Sequence, residues 1–173
     1  MNKKRWMLCI GITLVSLVAV VFTVSQIKHV NADKISIEKV RLEQGTVLSI
    51  EKLNYTFGNV QKNIVNDELN QKMIEYRVPV EIKNTGTKEM EVPLTDFVAL
   101  YSNYKSGLYS VFVEQEQAMT ELVVDGNEVK KGDLVFMVYI DKYIEGNDNF
   151  RLYFSNNAGD TIFRYEIGLE FNN

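Results

Sequence analysis

The chain has 173 residues, one cysteine, one histidine and a formal net charge of −4. With Cys9 alone no internal disulfide can form, and with His29 alone, close to the N-terminus, the usual zinc sites and any Ser-His-Asp or Cys-His arrangement are ruled out of the rest of the chain. The acidic balance argues against nucleic acid and anionic lipid surfaces, both of which demand Lys and Arg.

The N-terminus carries the first element. Lys3, Lys4 and Arg5 precede an uncharged apolar run of 18 residues, Met7 to Val24. As a helix that run is about 27 Å long, close to the roughly 30 Å hydrocarbon core of a bilayer. A basic flank before an apolar stretch keeps the positive end in the cytoplasm, so the chain beyond the run is expected outside. Two readings are open. The run is an uncleaved anchor, giving a single-pass membrane protein with an extracellular C-terminal domain. Alternatively it is a signal peptide cut after Val30-Asn31-Ala32, giving a secreted protein that starts at Asp33. The apolar run exceeds the usual signal core, and Lys28 and His29 put charge before the cut. Cys9 lies near the start of the run, where it reads as a small apolar residue of the helix.

Residues 33–173 hold all 23 acidic residues but only 15 of the 19 basic ones, a net −8. They also hold 17 of the 19 aromatics, which with many Val and Ile fit pleated, half-buried surfaces. One domain is the economical division: leader 1–32, a juxtamembrane segment 33–46 carrying a first strand, and a sandwich over 47–173.

Period-2 alternation recurs along that domain. Ile35 to Leu42 and Val47 to Phe57 are weaker strand candidates. Val60 to Lys72 is polar and reads as a long loop, a short helical turn near Asp67 to Gln71, or a mobile insertion. Tyr76, Val78, Val80 and Ile82 share one face, with Glu75, Arg77, Glu81 and Lys83 on the other. Pro79, outward in the same strand, predicts an edge position or a bulge. Phe97 to Tyr101 and Tyr109 to Val113 come next as weaker strands. Leu134, Phe136, Val138 and Ile140 repeat the alternation, as do Phe150, Leu152 and Phe154. The last strand sets Phe163, Tyr165, Ile167, Leu169 and Phe171 against Arg164, Glu166 and Glu170. Turns are expected at Asn84-Thr85-Gly86, Asp125-Gly126-Asn127, Lys131-Gly132-Asp133, Glu145-Gly146-Asn147 and Asn156 to Asp160, where Gly and Asn supply positive φ. About eight strands at this spacing, with no helix after Val24, predict an all-β, antiparallel sandwich.

The stretch Val80-Glu81-Ile82-Lys83-Asn84-Thr85-Gly86-Thr87-Lys88, with Phe97 and Leu100 after it, resembles a recurrent strand, "KNTG", Phe-x-x-Leu pattern. Glu128-Val129-Lys130-Lys131-Gly132-Asp133 with Val135-Phe136, and then Phe150 to Tyr153, resemble its later segments. The pattern is similar to that of bacterial immunoglobulin-like domains in Gram-positive lipoproteins and anchored surface proteins, of the immunoprotective extracellular antigen type. It spans roughly Val47 to Phe171. The resemblance implies an immunoglobulin-like β-sandwich and an extracytoplasmic location, and no agreed activity. Many such proteins carry a lipid-attachment cysteine after the apolar run, which this chain lacks.

For chemistry, no carboxylate pair is marked out by spacing, and no metal ligand set or cofactor is expected. Asp141, Glu145, Asn147 and Asp148 surround Gly146, a calcium-like set of oxygens that also reads as an ordinary acidic turn. The candidate binding residues are Tyr101, Tyr104 and Tyr109, clustered around Ser106-Gly107 at an expected loop end. Loop tyrosines make low-entropy contact patches. The alternative is that Tyr101 and Tyr109 end strands and pack on the core. The function expected is a non-catalytic binding or adaptor module on the far side of a bacterial membrane, recognising a protein or envelope component. A structural or accessory subunit of a membrane transport or secretion assembly is the second reading.

Overall fold

The computed structural model describes residues 16, 20–26, 35–67, 69–101, 104–109, 111–142 and 150–171. Within the leader, residues 20–26 are helical and Val20, Val21 and Phe22 are exposed. No helix among the described residues is long and apolar enough to cross a membrane. Cys9, the rest of the apolar run and the Val30-Asn31-Ala32 site lie outside the described residues.

From Ile35 onward the described residues form an all-β sandwich of two facing sheets. One five-stranded sheet runs β1 (Ser36–Leu42), β14 (Thr161–Ile167), β13 (Phe150–Ala158), β7 (Phe97–Tyr101), β8 (Tyr104–Tyr109). The opposing sheet runs β10 (Gln117–Met119), β9 (Val111–Glu114), β12 (Val129–Tyr139), β5 (Lys72–Asn84), β3 (Leu53–Phe57), β2 (Leu48–Ile50), with β4 (Gln61–Asn66) also on β5. A small ladder joins β6 (Met90–Glu91) to β11 (Val123–Val124). After the leader, the only helical turns among the described residues are two 3-10 turns, Leu94–Asp96 and Ile140–Lys142.

The inward faces obey the alternation. Tyr76, Val78, Val80 and Ile82 of β5 and Leu134, Phe136 and Val138 of β12 are buried against Phe97, Ala99, Phe150, Leu152 and Phe154. Aromatic rings bridge the sheets, with Tyr76 stacked on Phe150 at 4.5 Å and Tyr55 edge-on to Phe97 at 5.5 Å. Burying each such side chain contributes on the order of 2 kcal/mol, so this seam holds the sheets together. Ile140 departs from the expected face: it opens a 3-10 turn and is exposed.

Where the structure departs from expectation, non-local pairing is the cause. The antiparallel sandwich contains one parallel pair, β1 on β14, in register from Ser36↔Thr161 to Leu42↔Ile167. No hairpin joins these distant segments, so nothing local sets their direction. The expected juxtamembrane segment therefore contributes an edge strand, Ser36–Leu42, to the sandwich itself. Val47 to Phe57 is two strands, β2 and β3, folded back at Glu51, which has φ 54°. Tyr109 to Val113 divides between the sheets, with Tyr109 ending β8 and Val111 starting β9. The last strand stops at Ile167, its one buried residue; Phe171 instead bridges Val60 in parallel.

Val60 to Lys72 is neither a loop nor a helical turn. Gln61–Asn66 pairs with Lys72–Arg77 as a hairpin. Its tip is closed by Asp67, whose carboxylate accepts from Leu69 N at 2.9 Å and Gln71 N at 2.7 Å. An aspartate at the first position of a turn commonly does this. Pro79 is not on an edge, because β5 lies between β12 and β3–β4. Its missing donor is absorbed by a break in the partner: Gly58 N donates to Pro79 O at 2.8 Å, and Val60 N turns away to Glu170 O at 2.7 Å.

The turn expectations divide. Gly159 (φ +63°) opens a two-residue hairpin between Ala158 and Thr161, as a glycine-first tight turn requires. Asp125-Gly126-Asn127 is a turn too, but Asn127 carries the positive φ of 63°, not Gly126. Asn84-Thr85-Gly86 ends β5 and leads to β6 in another ladder, not to a hairpin partner. Lys131-Gly132-Asp133 is no turn and lies inside β12. Glu145-Gly146-Asn147 lies outside the described residues.

Candidate functional site

The three tyrosines do not form one exposed patch. Tyr101 ends β7 and is 2% exposed, its ring 6.1 Å from that of Tyr76 in the core. The backbone register sets Tyr104 opposite Tyr101 and Tyr109 opposite Val98. The side chains of Tyr104 and Tyr109 lie outside what the structure describes. Of the calcium-like set, only Asp141 is among the described residues, and these contain no group of three or more His, Cys, Asp or Glu placed to hold a metal.

The more developed site lies on the outward face of the larger sheet. On β5 the outward residues are Glu75 and Arg77; on β12 they are Asp133, Val135 and Met137. Pairing aligns Val111, Val135 and Arg77 in one row and Met137 with Glu75 in the next. The β9–β10 hairpin adds Val113 and Ala118. Its two-residue turn holds Gln115 (φ 48°) and Glu116 (φ 67°) in left-handed backbone, the form that suits the sheet twist but disfavours these residue types. The result is a groove of about 620 Å³ with an aliphatic floor and Glu116 on its rim. That volume falls in the range of small-ligand sites.

Glu75 is the unusual member, a carboxylate only 6% exposed on the side of the sheet that should face water. Arg77 offsets its burial with a two-pronged contact, Nε to Oε1 at 2.7 Å and Nη2 to Oε2 at 3.3 Å. Asp133 approaches the same guanidinium at 3.5 Å, and these acceptors, Glu75 first, raise the Arg77 pKa further. A fork of this kind fixes direction as well as charge. Arg77→Ala is expected to cost about 2 kcal/mol, because Glu75 is left buried without its cation. The figure is below that of a fully buried pair because the Arg77 side chain is 34% exposed. Glu75→Leu with Arg77→Met should be near neutral. Urea unfolding of the three proteins measures this; a double variant less stable than Arg77→Ala would contradict the reading.

The alternation places Glu75 and Arg77 outward, but Glu75's burial was not legible. It depends on how neighbouring strands fold over the sheet face, and no local pattern encodes that.

No protein-family model matches the chain, and no curated protein sequence matches it. Among solved structures, an uncharacterised β-sandwich protein of Clostridium difficile 630 aligns at 17% identity over 77% of this chain and 97% of that one, with a TM-score of 0.49. The yjhA protein of Bacillus subtilis aligns at 15% identity over 77% and 99%, TM-score 0.48. A candidate lipoprotein of the same species, ycdA, aligns at 17% identity over 73% of this chain and 39% of that one, TM-score 0.48. Likeness at this level carries nothing about ligand or activity.

Proposed function

We propose that the protein is a non-catalytic binding module of the extracytoplasmic side of a Gram-positive membrane, akin to immunoglobulin-like surface antigens. It takes an apolar side chain of a partner protein into the groove beside Glu75. The observation that carries this reading is the groove itself, an aliphatic concavity on an outward sheet face. Apolar concavities of this volume with a few polar groups at their margin are where ligands and partner side chains commonly seat. Its charged surroundings narrow the partner. Glu116 on the rim and Asp133 beside Arg77 complement a Lys or Arg next to the inserted residue. The basic flank and apolar run of the leader support delivery across the membrane.

A photo-crosslinking residue at Ala118, expressed in cells, is expected to yield one discrete adduct that Met137→Lys abolishes. Met137 is 44% exposed, so the substitution leaves the core intact. An adduct pattern identical to that from a crosslinker at Ile37, on the β1 edge, would overturn the groove as the contact. N-terminal sequencing tests the delivery: a retained leader means a tethered protein, and Asp33 a released one. A C-terminal reporter found in the cytosol would refute both.

A further inference from the structure

The outward face of the five-stranded sheet carries charge of the opposite sign to the domain as a whole. Leu42, Leu152, Phe154 and Tyr165 pack on the core, so alternation turns Lys39 and Arg41 of β1, Arg151 of β13 and Arg164 of β14 outward. All four are exposed. Three of the four arginines beyond the leader thus share one face, Arg77 being the other. Among the outward positions of β1, β7, β13 and β14, Glu166 is the one acid, and it accepts from Tyr153 Oη at 3.3 Å. No carboxylate among the described residues lies within salt-bridge distance of the four cations.

The strand pairing works against this charge. Register sets Lys39 directly beside Arg164, and like charges facing each other on neighbouring strands destabilise a sheet. Stability does not account for that pair, whereas an anionic surface lying across both does. Ile37 stands on the same face of β1, 54% exposed, and an apolar side chain among cations is the combination that binds membrane interfaces. Ser36 follows Val24, the end of the apolar run, by 12 residues. Even fully extended, that length of chain keeps the start of β1 within about 43 Å of the run.

We propose that this face docks on the anionic phosphate headgroups of the membrane that holds the leader. The inference rests on a retained leader, the tethered form of the reading above. Each Lys or Arg near an anionic surface strengthens binding about fivefold, and a short tether keeps the local concentration of headgroups high. The two sheets pack about 10 Å apart, more than the roughly 8 Å screening length at physiological salt. Acids of the far sheet therefore offset this face only weakly, and the net charge of the domain does not describe it. Docked in this way, the sandwich turns its larger sheet, and the groove beside Glu75, away from the membrane.

The test uses the full chain inserted by its leader into vesicles of phosphatidylcholine with about 30 mol % phosphatidylglycerol, at about 0.15 M salt. A fluorophore is placed at Ile37→Cys or, on the opposite face, at Met137→Cys, both in a Cys9→Ser background, and quenched by lipid spin-labelled at its headgroup. Strong quenching is expected at Ile37 and little at Met137, with the difference lost in pure phosphatidylcholine. Lys39→Gln with Arg164→Gln should lower the docked-to-free ratio about 25-fold, the product of two such charges. Arg41→Gln with Arg151→Gln should act similarly, while Lys83→Gln with Lys131→Gln, the same loss of charge on the larger sheet, should change nothing. Thermal unfolding provides the folding control: the Lys39 and Arg164 double variant should melt no lower than the parent, because it removes a like-charge pair. Equal quenching at the two positions, quenching indifferent to lipid charge, or docking unaffected by both face variants would each overturn the proposal. Shielding of Ile37 that follows the protein-to-lipid ratio instead would assign the face to a second copy of the chain, and would equally overturn it. N-terminal sequencing tests the retained leader separately, so the anchor and the docking can fail independently.

Discussion

Asn84→Ala should lower the unfolding free energy by about 4 kcal/mol, the larger of the two structural effects expected. Asn84 is fully buried at the end of β5. Its Nδ2 donates to Lys88 O at 2.8 Å and to Val124 O at 3.0 Å, and its Oδ1 accepts from Gly86 N at 2.8 Å. One side chain thus closes the loop after β5 and ties it to β11. Alanine would leave two carbonyls and one N–H without partners, each costing on the order of 1–2 kcal/mol, together with a small cavity. For a domain of this size the melting temperature should fall by roughly 10 °C. Far-ultraviolet circular dichroism during heating measures it, and a fall below about 3 °C would show that water replaces the amide without penalty. Asn84→Asp adds a sign test. A buried carboxylate facing two carbonyls has a raised folded-state pKa, so its destabilisation should be full above that pKa and diminish as pH falls through it.

Gly132→Ala should cost about 3 kcal/mol and should act on the groove. An added Cβ would lie 2.5 Å from the Phe112 ring and 2.5 Å from the Val113 carbonyl. Phe112 is fully buried, and Val113 O belongs to a strand paired with β12. Neither neighbour can yield without loosening β9, and overpacking of this kind typically costs about 1–3 kcal/mol. Because β9 and β10 form one wall of the groove, the loss should be accompanied by faster amide exchange at Val111 and Val113. Unchanged exchange there, with stability lost, would place the strain elsewhere.

These two positions show how far the residues can be read in isolation. Asn84 and Gly132 both stand in expected turns, because Asn and Gly are what turns need. Gly132 is not used that way, and Asn84 is so used only in part: its Oδ1 accepts from Gly86 N in an Asx turn, while its amide serves distant carbonyls. Gly132 is required inside a strand by the close approach of Phe112, and Asn84 is required by carbonyls four and forty residues away. The candidate site divides in the same manner. Tyr101 was legible as a strand-ending tyrosine and packs as one. The groove beside Glu75 was not legible, because its lining comes from β5, β9, β10, β12 and the β9–β10 turn, which only strand pairing brings together.

From its residues alone this chain declares an acidic β domain behind a basic, apolar leader. It also declares which side chains of the long strands point inward, since period-2 alternation is a property of each strand by itself. Tertiary structure decided the parallel pairing of β1 with β14, the central place of β5 despite Pro79, and the burial of Glu75 beside its groove. Each of those depends on which distant strands meet, and strand pairing is settled by packing over the whole core.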